Sequence, residues 1–509
     1  MSQTQLTVLL SLCLAVAPLS AAAQVPSKSP RIAHDIRHDI SHPLSELVST
    51  SLQKSVAMNT TPDATPTAYR SSALLSPIGV STLVGLRFNG VGYNGYGTAP
   101  PDANLAVGVT QVVQWVNSKF AVYDKATGKV VLGPAAGTTL FQGFGGLCST
   151  VNQGDPNVQY DKAAGRWVFS RHAYQTGGPY IQCVAVSTTN DATGSYNRYA
   201  FQLPNFFPDY PKLGVWSDGY YLAVDELDPI TFAYSRVLVC ALQRSRMLAG
   251  QSATSQCFSL NTANGHSFLP SDLDGSLPPP AGSPNYFLNF SSTSSLNLWK
   301  FRVSWSVPSN SRFLGPLAIP VDPFTESCGG NVCIPQANTS QRLDSVTDRL
   351  MYRLAYRNFG SHESLVVTHS VSSPAHIRWY EIRSPRPTPF VYQQGTYGDS
   401  SLHRWMGSIA MDQAGNIAVG YSVSGPNMHP AIRFAGRVPG EQLGTLEAET
   451  SIIEGTGSQT VGNRWGDYSA MAIDPVDDCT FWYTNEYLTA NGSKNWSTRI
   501  ASFKFSSCP

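Results

Sequence analysis

The chain reads as an all-β protein, a single seven-bladed β-propeller behind a flexible N-terminal leader. Three observations predict this. Charged residues make up 13% of the 509 positions, against roughly 25% in an average domain, too few for a coiled coil or a helical repeat array. Hydrophobic residues at 42% and aromatics at 11% exclude a disordered protein. A module also recurs from about residue 100 onward: a short apolar strand, a tight Asp or Gly turn, then a second strand rich in aromatics and Val.

The first segment is a targeting signal. Leu6 to Ser20 is apolar and ends in Ala21-Ala22-Ala23 before Gln24, an h-region with a small-residue cleavage site. Its n-region, Met1 to Gln5, carries no Lys or Arg. The run is too short for a membrane span, and no other segment is long and apolar enough for one. Residues 1–23 are therefore read as a signal peptide, and the product as secreted, either extracellular or periplasmic. Setting Cys13 aside leaves eight cysteines. An even number in an exported chain indicates disulfides, and proximity pairs Cys148 with Cys183, Cys240 with Cys257, Cys328 with Cys333 and Cys479 with Cys508. No CxxC occurs, so zinc is not expected.

Residues 24–76 are rich in Ser, Thr and Pro and are expected to be a flexible leader. His34, His38 and His42 recur there at four-residue spacing and are read as a short amphipathic turn rather than a metal site. Residues 77–509 hold the repeat. Its copies are PDANLAVGVTQVVQWVNSKFAVYD (101–124), NVQYDKAAGRWVFSR (157–171), KLGVWSDGYYLAVDE (212–226), NYFLNFSSTSSLNLWKFRVSW (285–305), LDSVTDRLMYRLAYRNF (343–359), SIAMDQAGNIAVGYS (408–422) and SAMAIDPVDDCTFWYTNEY (469–487). The copies at 285–305 and 343–359 are degenerate. From Asp102 to Asp467 the repeat advances about 61 residues per step, a length suited to four-stranded blades stacked in a ring. Leu83–Asn89 is expected to supply a strand that completes the last blade.

This texture over residues 80–509, with the closing RWGDYSAMAIDP…CTFWYTNEY, resembles the secreted bacterial β-propeller proteins of the sialidase-like class. The Asp-box S-x-D-x-G-x-T-W of sialidases is absent, so the resemblance implies the propeller and not that activity.

Hairpin topology sorts the polar residues. Positions before a first strand and after a second share one rim, while the turn residues Asp161, Asp218, Asp412 and Asp474 lie at the other end. The first rim thus collects Asp102, Asp155, Asp209, Asp225-Glu226, Arg357, His403-Arg404-Trp405, Arg464-Trp465, Asp467 and Glu486. Carboxylates, guanidinium groups and indoles together suit a glycan site, supplying acid and base, polar clamps and stacking faces. Asp467, Glu226, Glu486 and Asp225 are the candidate catalytic carboxyls. Arg404, Trp405, Arg464, Trp465, Arg357, His403, Asp155 and Asp209 are the candidate substrate contacts.

Several other classes are excluded. With 34 basic and 33 acidic residues there is no field to gather nucleic acid. GVGYNG (90–95) is followed by no helix, no G-x-S-x-G elbow occurs, and His362-Glu363 lacks the second His of H-E-x-x-H. DLDG (272–275) is half a calcium loop without the remaining ligands and is read as a turn. No cofactor is expected, a structural calcium ion being left open. The expected partner is an extracellular glycan or cell-surface ligand, engaged by a monomer. Two functions stay open: a glycoside hydrolase or polysaccharide lyase acting at the rim, and a non-catalytic carbohydrate- or protein-binding propeller.

Overall fold

Alternating apolar side chains around an Asp turn fold into hairpins. Asn157–Asp161 pairs antiparallel with Arg166–Tyr174, setting Tyr160 opposite Trp167. The Asp161 carbonyl accepts the Ala164 and Gly165 N–H groups, and Gly165 supplies the positive φ (64°) that closes the turn. Tyr180–Ser187 and Tyr196–Gln202 extend the hairpin into a meander. The computed structural model, which describes residues 29–55, 82–93, 98–330 and 332–509, repeats this unit along the chain.

Each meander begins with an inner strand. In order these are Asn104–Val107, Asn157–Asp161, Phe207–Val215, Leu269–Asp274, Met351–Asn358, His403–Met411 and Ala470–Ile473. Each inner strand contacts the next, and Ala470–Ile473 returns to contact Asn104–Val107. Side chains bridge the neighbours. Asn104 Oδ1 accepts the Val158 N–H at 3.0 Å, and Asn157 accepts the Leu213 N–H while donating to the Pro211 carbonyl. Asp272 accepts the Val215 N–H. Ser408 Oγ accepts the Met471 N–H and donates to the Tyr352 carbonyl, and Ser469 Oγ donates to the Met406 carbonyl. Two residues ahead of Asn104, Asn157, Lys212, Leu269, Ser408 and Ser469 stand Asp102, Asp155, Tyr210, Ser267, Met406 and Asp467. All six are left-handed, with φ between 50° and 57°.

The expected closing strand is present. Thr82–Asn89 pairs with Ser497–Phe505 and completes the meander that begins at Ala470. All four expected disulfides are formed: Cys148–Cys183, Cys240–Cys257, Cys328–Cys333 and Cys479–Cys508.

Three expectations are corrected. Residues 285–305 form the second and third strands of their meander. The inner strand is Leu269–Asp274, which includes most of the DLDG segment read as a turn. Its Asp272 and Asp274 are buried against Arg353 at 2.6 and 3.0 Å, so the acidic spacing serves an ion pair between strands. Met351–Asn358 is itself an inner strand, paired with Glu363–Val371, so Arg357 stands at the turn end and not on the rim. Part of the leader is ordered: Arg31–His34 joins the edge strand Thr254–Asn261, Arg37–Ile40 joins Tyr196–Gln202, and Leu44–Ser55 is a helix. Edge backbone hydrogen bonding holds these strands, which is why their composition gave no sign of them. The signal segment lies outside the described residues.

Residues 321–350 form an insertion between two meanders. It carries the Cys328–Cys333 bridge and the short pair Val332–Ile334 with Leu343–Asp344. It lies over the later meanders, bonding Ala337 N–H to the Met428 carbonyl and Asp344 N–H to the Asn463 carbonyl.

The Cys479–Cys508 bridge fastens the chain end beside the closing strand. Replacing both cysteines with Ser is expected to lower stability by roughly 3 kcal/mol through the freed unfolded chain. Urea midpoints under non-reducing conditions check this; an unchanged midpoint would show that strand pairing alone closes the last sheet.

Candidate functional site

Two of the left-handed residues, Asp102 and Asp155, lie with Asp209 in one charged cluster. Asp155 is half-buried, and its Oδ2 receives the Tyr210 N–H and the Tyr468 hydroxyl, each at 3.3 Å. Asp209 is half-buried beside it. Burial, then the Asp155 charge, raises its carboxyl above the ordinary range. Asp102 is buried, accepts the Asn117 amide at 2.6 Å, and is raised further by burial and by Asp155.

Lys212 lies inside this ring of acids. Its Nζ sits 3.5 Å from the Tyr468 ring centre and 3.7 Å from that of Tyr210, a cation–π cage. It donates to the Pro211 carbonyl. Burial outweighs the carboxylates and brings the amine down to about 7. His172 is buried next to Asp155 and Asp209, with its imidazole lowered by burial. Arg349, from the insertion, lies 4.6 Å from the Tyr210 ring and is paired with Asp348.

The other sequence candidates fall in different places. Arg464 is exposed and pairs with Asp467 at the edge of the cluster. Trp405 and Trp465 do meet, 6.1 Å between ring centres, but both are fully buried and stack on no ligand. Ile334 and Leu343 of the insertion share one buried cluster with both indoles, Met406 and Leu488. Arg404 is buried and bound to Glu449 at 2.9 and 3.0 Å and to Asp399 at 2.8 Å, so it braces the meander and does not clamp a ligand. His403 Nδ1 accepts the Ala375 N–H, and burial lowers the ring to about 4. Arg357 is engaged by Asp478, both contacts at 2.7 Å, at the turn end.

Three candidate catalytic carboxyls are structural in their contacts. Asp225 is buried and caps the left-handed Ser267 through its N–H and hydroxyl. Glu226 is buried on Arg236 at 2.5 Å. Glu486 is wholly buried, its Oε2 accepting the Gly466 N–H at 2.6 Å, and burial with the nearby Asp102 charge lifts it to about 8.

Sequence reasoning missed Lys212, Tyr210 and Tyr468. A signal was present: Asp-Tyr recurs at 209–210, near the start of one inner strand, and at 467–468, just before another. Those two tyrosines approach to 5.4 Å and enclose the lysine. At the turn end there is a cavity of about 520 Å³ lined by Asp161, Lys162, Trp216, Gln413 and Asp478. Its charges are internally paired, Lys162 with Asp274, Arg244 with Asp161 and Arg357 with Asp478. Asp155 and Asp209 take no part in such an ion pair among the described residues.

No protein-family model matches the chain, and no curated protein matches it. Solved structures do. The Trypanosoma rangeli sialidase in complex with sialic acid shares 11% identity at a TM-score of 0.35, covering 69% of this chain and 54% of that one. The phage phi92 endosialidase shares 7% at 0.33, with 79% and 66% covered. The WD40 domain of SCAP from fission yeast shares 9% at 0.34, with 94% of each chain covered. The chain thus spans about half the length of the sialidase and just under two thirds of the endosialidase. The sialidase-like class named from the repeat texture is represented among these structural neighbours.

Glu486 sets a pH dependence with a definite sign. In the folded chain it keeps a proton that the unfolded chain releases. Its stabilising contribution is therefore complete below about pH 4.5 and lost as pH rises through 8. Glu486→Gln retains the acceptor for Gly466 and cannot titrate. The stability of the native chain relative to this variant should fall by roughly 2–4 kcal/mol between those limits. Paired urea titrations across the range check it; parallel curves would place the carboxyl in a more polar setting.

Proposed function

We propose that the inner strands form the closed ring of a seven-bladed β-propeller, exported through the signal at residues 1–23. In this reading its rim binds and hydrolyses a glycan at Asp155 and Asp209. The circuit of contacts from Asn104–Val107 round to Ala470–Ile473 and back supports the ring. The reading of the site rests on one observation: Asp155 and Asp209 are adjacent, half-buried and, among the described residues, outside any ion pair, next to aromatic side chains that reach solvent.

Hydrolysis of a glycosidic bond needs one carboxylic acid to protonate the leaving oxygen and one carboxylate to activate water or attack the sugar. Asp209, raised by burial and by its neighbour, holds its proton to higher pH and is assigned the acid. Asp155 is oriented by the Tyr210 N–H and the Tyr468 hydroxyl and is assigned the base or nucleophile. Lys212 supplies positive charge beneath them. Asp467 with Arg464 flanks the cluster as a polar ligand contact.

Purified protein incubated with a panel of soluble polysaccharides, read for retention and for released reducing ends, tests the assignment. Asp209→Asn should lower turnover by about 100-fold or more without changing the melting temperature, and Asp155→Asn should do the same. Retention without release would identify a binding propeller, and neither retention nor release would reject a glycan site at this rim.

A further inference from the structure

Beside the two carboxylates, aromatic rings continue outward in single steps. The buried His172 ring lies 5.5 Å from Tyr174, Tyr174 lies 4.7 Å from Phe207, and Phe207 lies 5.1 Å from Phe232. Exposure rises along the series. His172 is buried, Tyr174 and Phe207 are half-buried, and Phe232 is 54% exposed. All four lie at the rim end of their strands: Tyr174 closes Arg166–Tyr174, Phe207 opens Phe207–Val215, and Phe232 is in the loop joining Tyr220–Leu227 to Tyr234–Leu242.

Phe232 is the unusual member. Its φ is +56°, a conformation that a bulky side chain adopts only at a cost in strain. It belongs to no buried core cluster, so packing of the interior does not require it there. The loop nevertheless fixes it firmly. Asp228 Oδ1 accepts the Ile230 and Thr231 N–H groups and the Thr231 hydroxyl, while the Phe232 N–H donates to the Asp228 carbonyl. Beneath the ledge, Glu226 holds Arg236, whose guanidinium lies 3.9 Å from the Phe206 ring centre. A strained, exposed aromatic on a rigid tip, continuous with half-buried rings leading to a carboxylate pair, is a surface arranged to stack on a ligand.

We propose that Tyr174, Phe207 and Phe232 form a stacking track for an extended, uncharged oligosaccharide chain, giving the rim several sugar subsites rather than one. The proposal rests on the glycan reading of Asp155 and Asp209 and specifies its substrate class. The rings meet edge to face, at 68° and 79° between planes, so successive rings offer differently turned faces to the apolar faces of consecutive pyranose or furanose units. The charge balance suits a neutral chain. Lys212 is caged by two tyrosine rings among the acids, and Arg349 and Arg464 are already engaged by Asp348 and Asp467, so no free cation is left here to receive a polyuronate or polysialate.

The test compares affinities for cello-, xylo-, laminari- and arabino-oligosaccharides of two and of six units, by calorimetry, with melting curves to confirm folding. In the native chain the hexamer of at least one series should bind about tenfold or more tightly than its dimer. Phe232→Ala should bring that ratio close to one, and Phe232→Tyr should keep it. A length preference that survives Phe232→Ala overturns the track, as does dimer binding with no length preference in the native chain. If no oligosaccharide of either length binds, the glycan reading of the carboxylates fails and the track fails with it. Preferential binding of a polyuronate probe would overturn the neutral-chain assignment alone.

Discussion

The architecture depends on how each inner strand grips the next. Neighbouring inner strands are spanned by side chains: Asn104 and Asn157 reach forward to backbone N–H groups of the following strand, and Ser408 links Met471 on one side to Tyr352 on the other. An unpaired backbone group in this buried centre would cost about 1–3 kcal/mol, so the bridging positions are confined to short polar side chains. At Asn104, Asn157, Ser408 and Ser469 the bridge follows a left-handed residue two positions earlier, which sets the angle at which the chain arrives. Asp102, Asp155 and Asp467 tolerate the conformation best, since Asp is enriched there. Tyr210 and Met406 adopt it as well, so packing between the inner strands holds the conformation even where the residue type resists it.

The same constraint concentrates charge. Because the left-handed positions open toward one rim, their carboxylates converge there whether or not a ligand needs them. On the Asp155–Asp209 side the insertion brings Arg349 to 4.6 Å from the Tyr210 ring, and both carboxylates stay half-buried. Over the later meanders the insertion buries Trp405 and Trp465. Trp405 and Trp465 have thus become core, while half-buried carboxylates, a caged lysine and rings that reach solvent remain beside Tyr210.

Legibility in the sequence followed sequence distance and chemical type. The cysteine pairs lie 5 to 35 residues apart, so proximity found them. The closing strand Thr82–Asn89 was legible because the last repeat ends one strand short. Hairpins with an Asp or Gly turn, such as 157–171 and 408–422, were visible through period-2 alternation. The repeat was misphased where the inner strand does not alternate. LPSDLD at 269–274 buries acids for Arg353 instead of apolar side chains, and so it read as a turn. The ordered strands at 31–40 were invisible because edge pairing uses backbone and leaves Ile32, Ile36 and Ile40 exposed. At the site, Asp155 and Asp209 were legible from position. Lys212 was not, because a lysine within an inner strand reads as a solvated residue until the rings of Tyr210 and Tyr468 are brought over it.

That lysine shows how site and scaffold are joined. An ammonium removed from water loses hydration that a cation–π cage restores only in part, and burial accordingly lowers the amine to about 7 despite three nearby carboxylates. If Lys212 were only a brace, an apolar residue of similar length would fill the space between two tyrosine rings without that penalty. If the acids were only seam ties, Asp155 and Asp209 would gain by pairing with arginine, as Asp161 and Asp478 do at the turn end. At the open rim neither economy is made. Charges are held close, partly buried and imperfectly compensated, on positions whose backbone the ring has already fixed. Such electrostatics, on a backbone held by the bridges between inner strands, is what the proposed site would use to stabilise a developing charge.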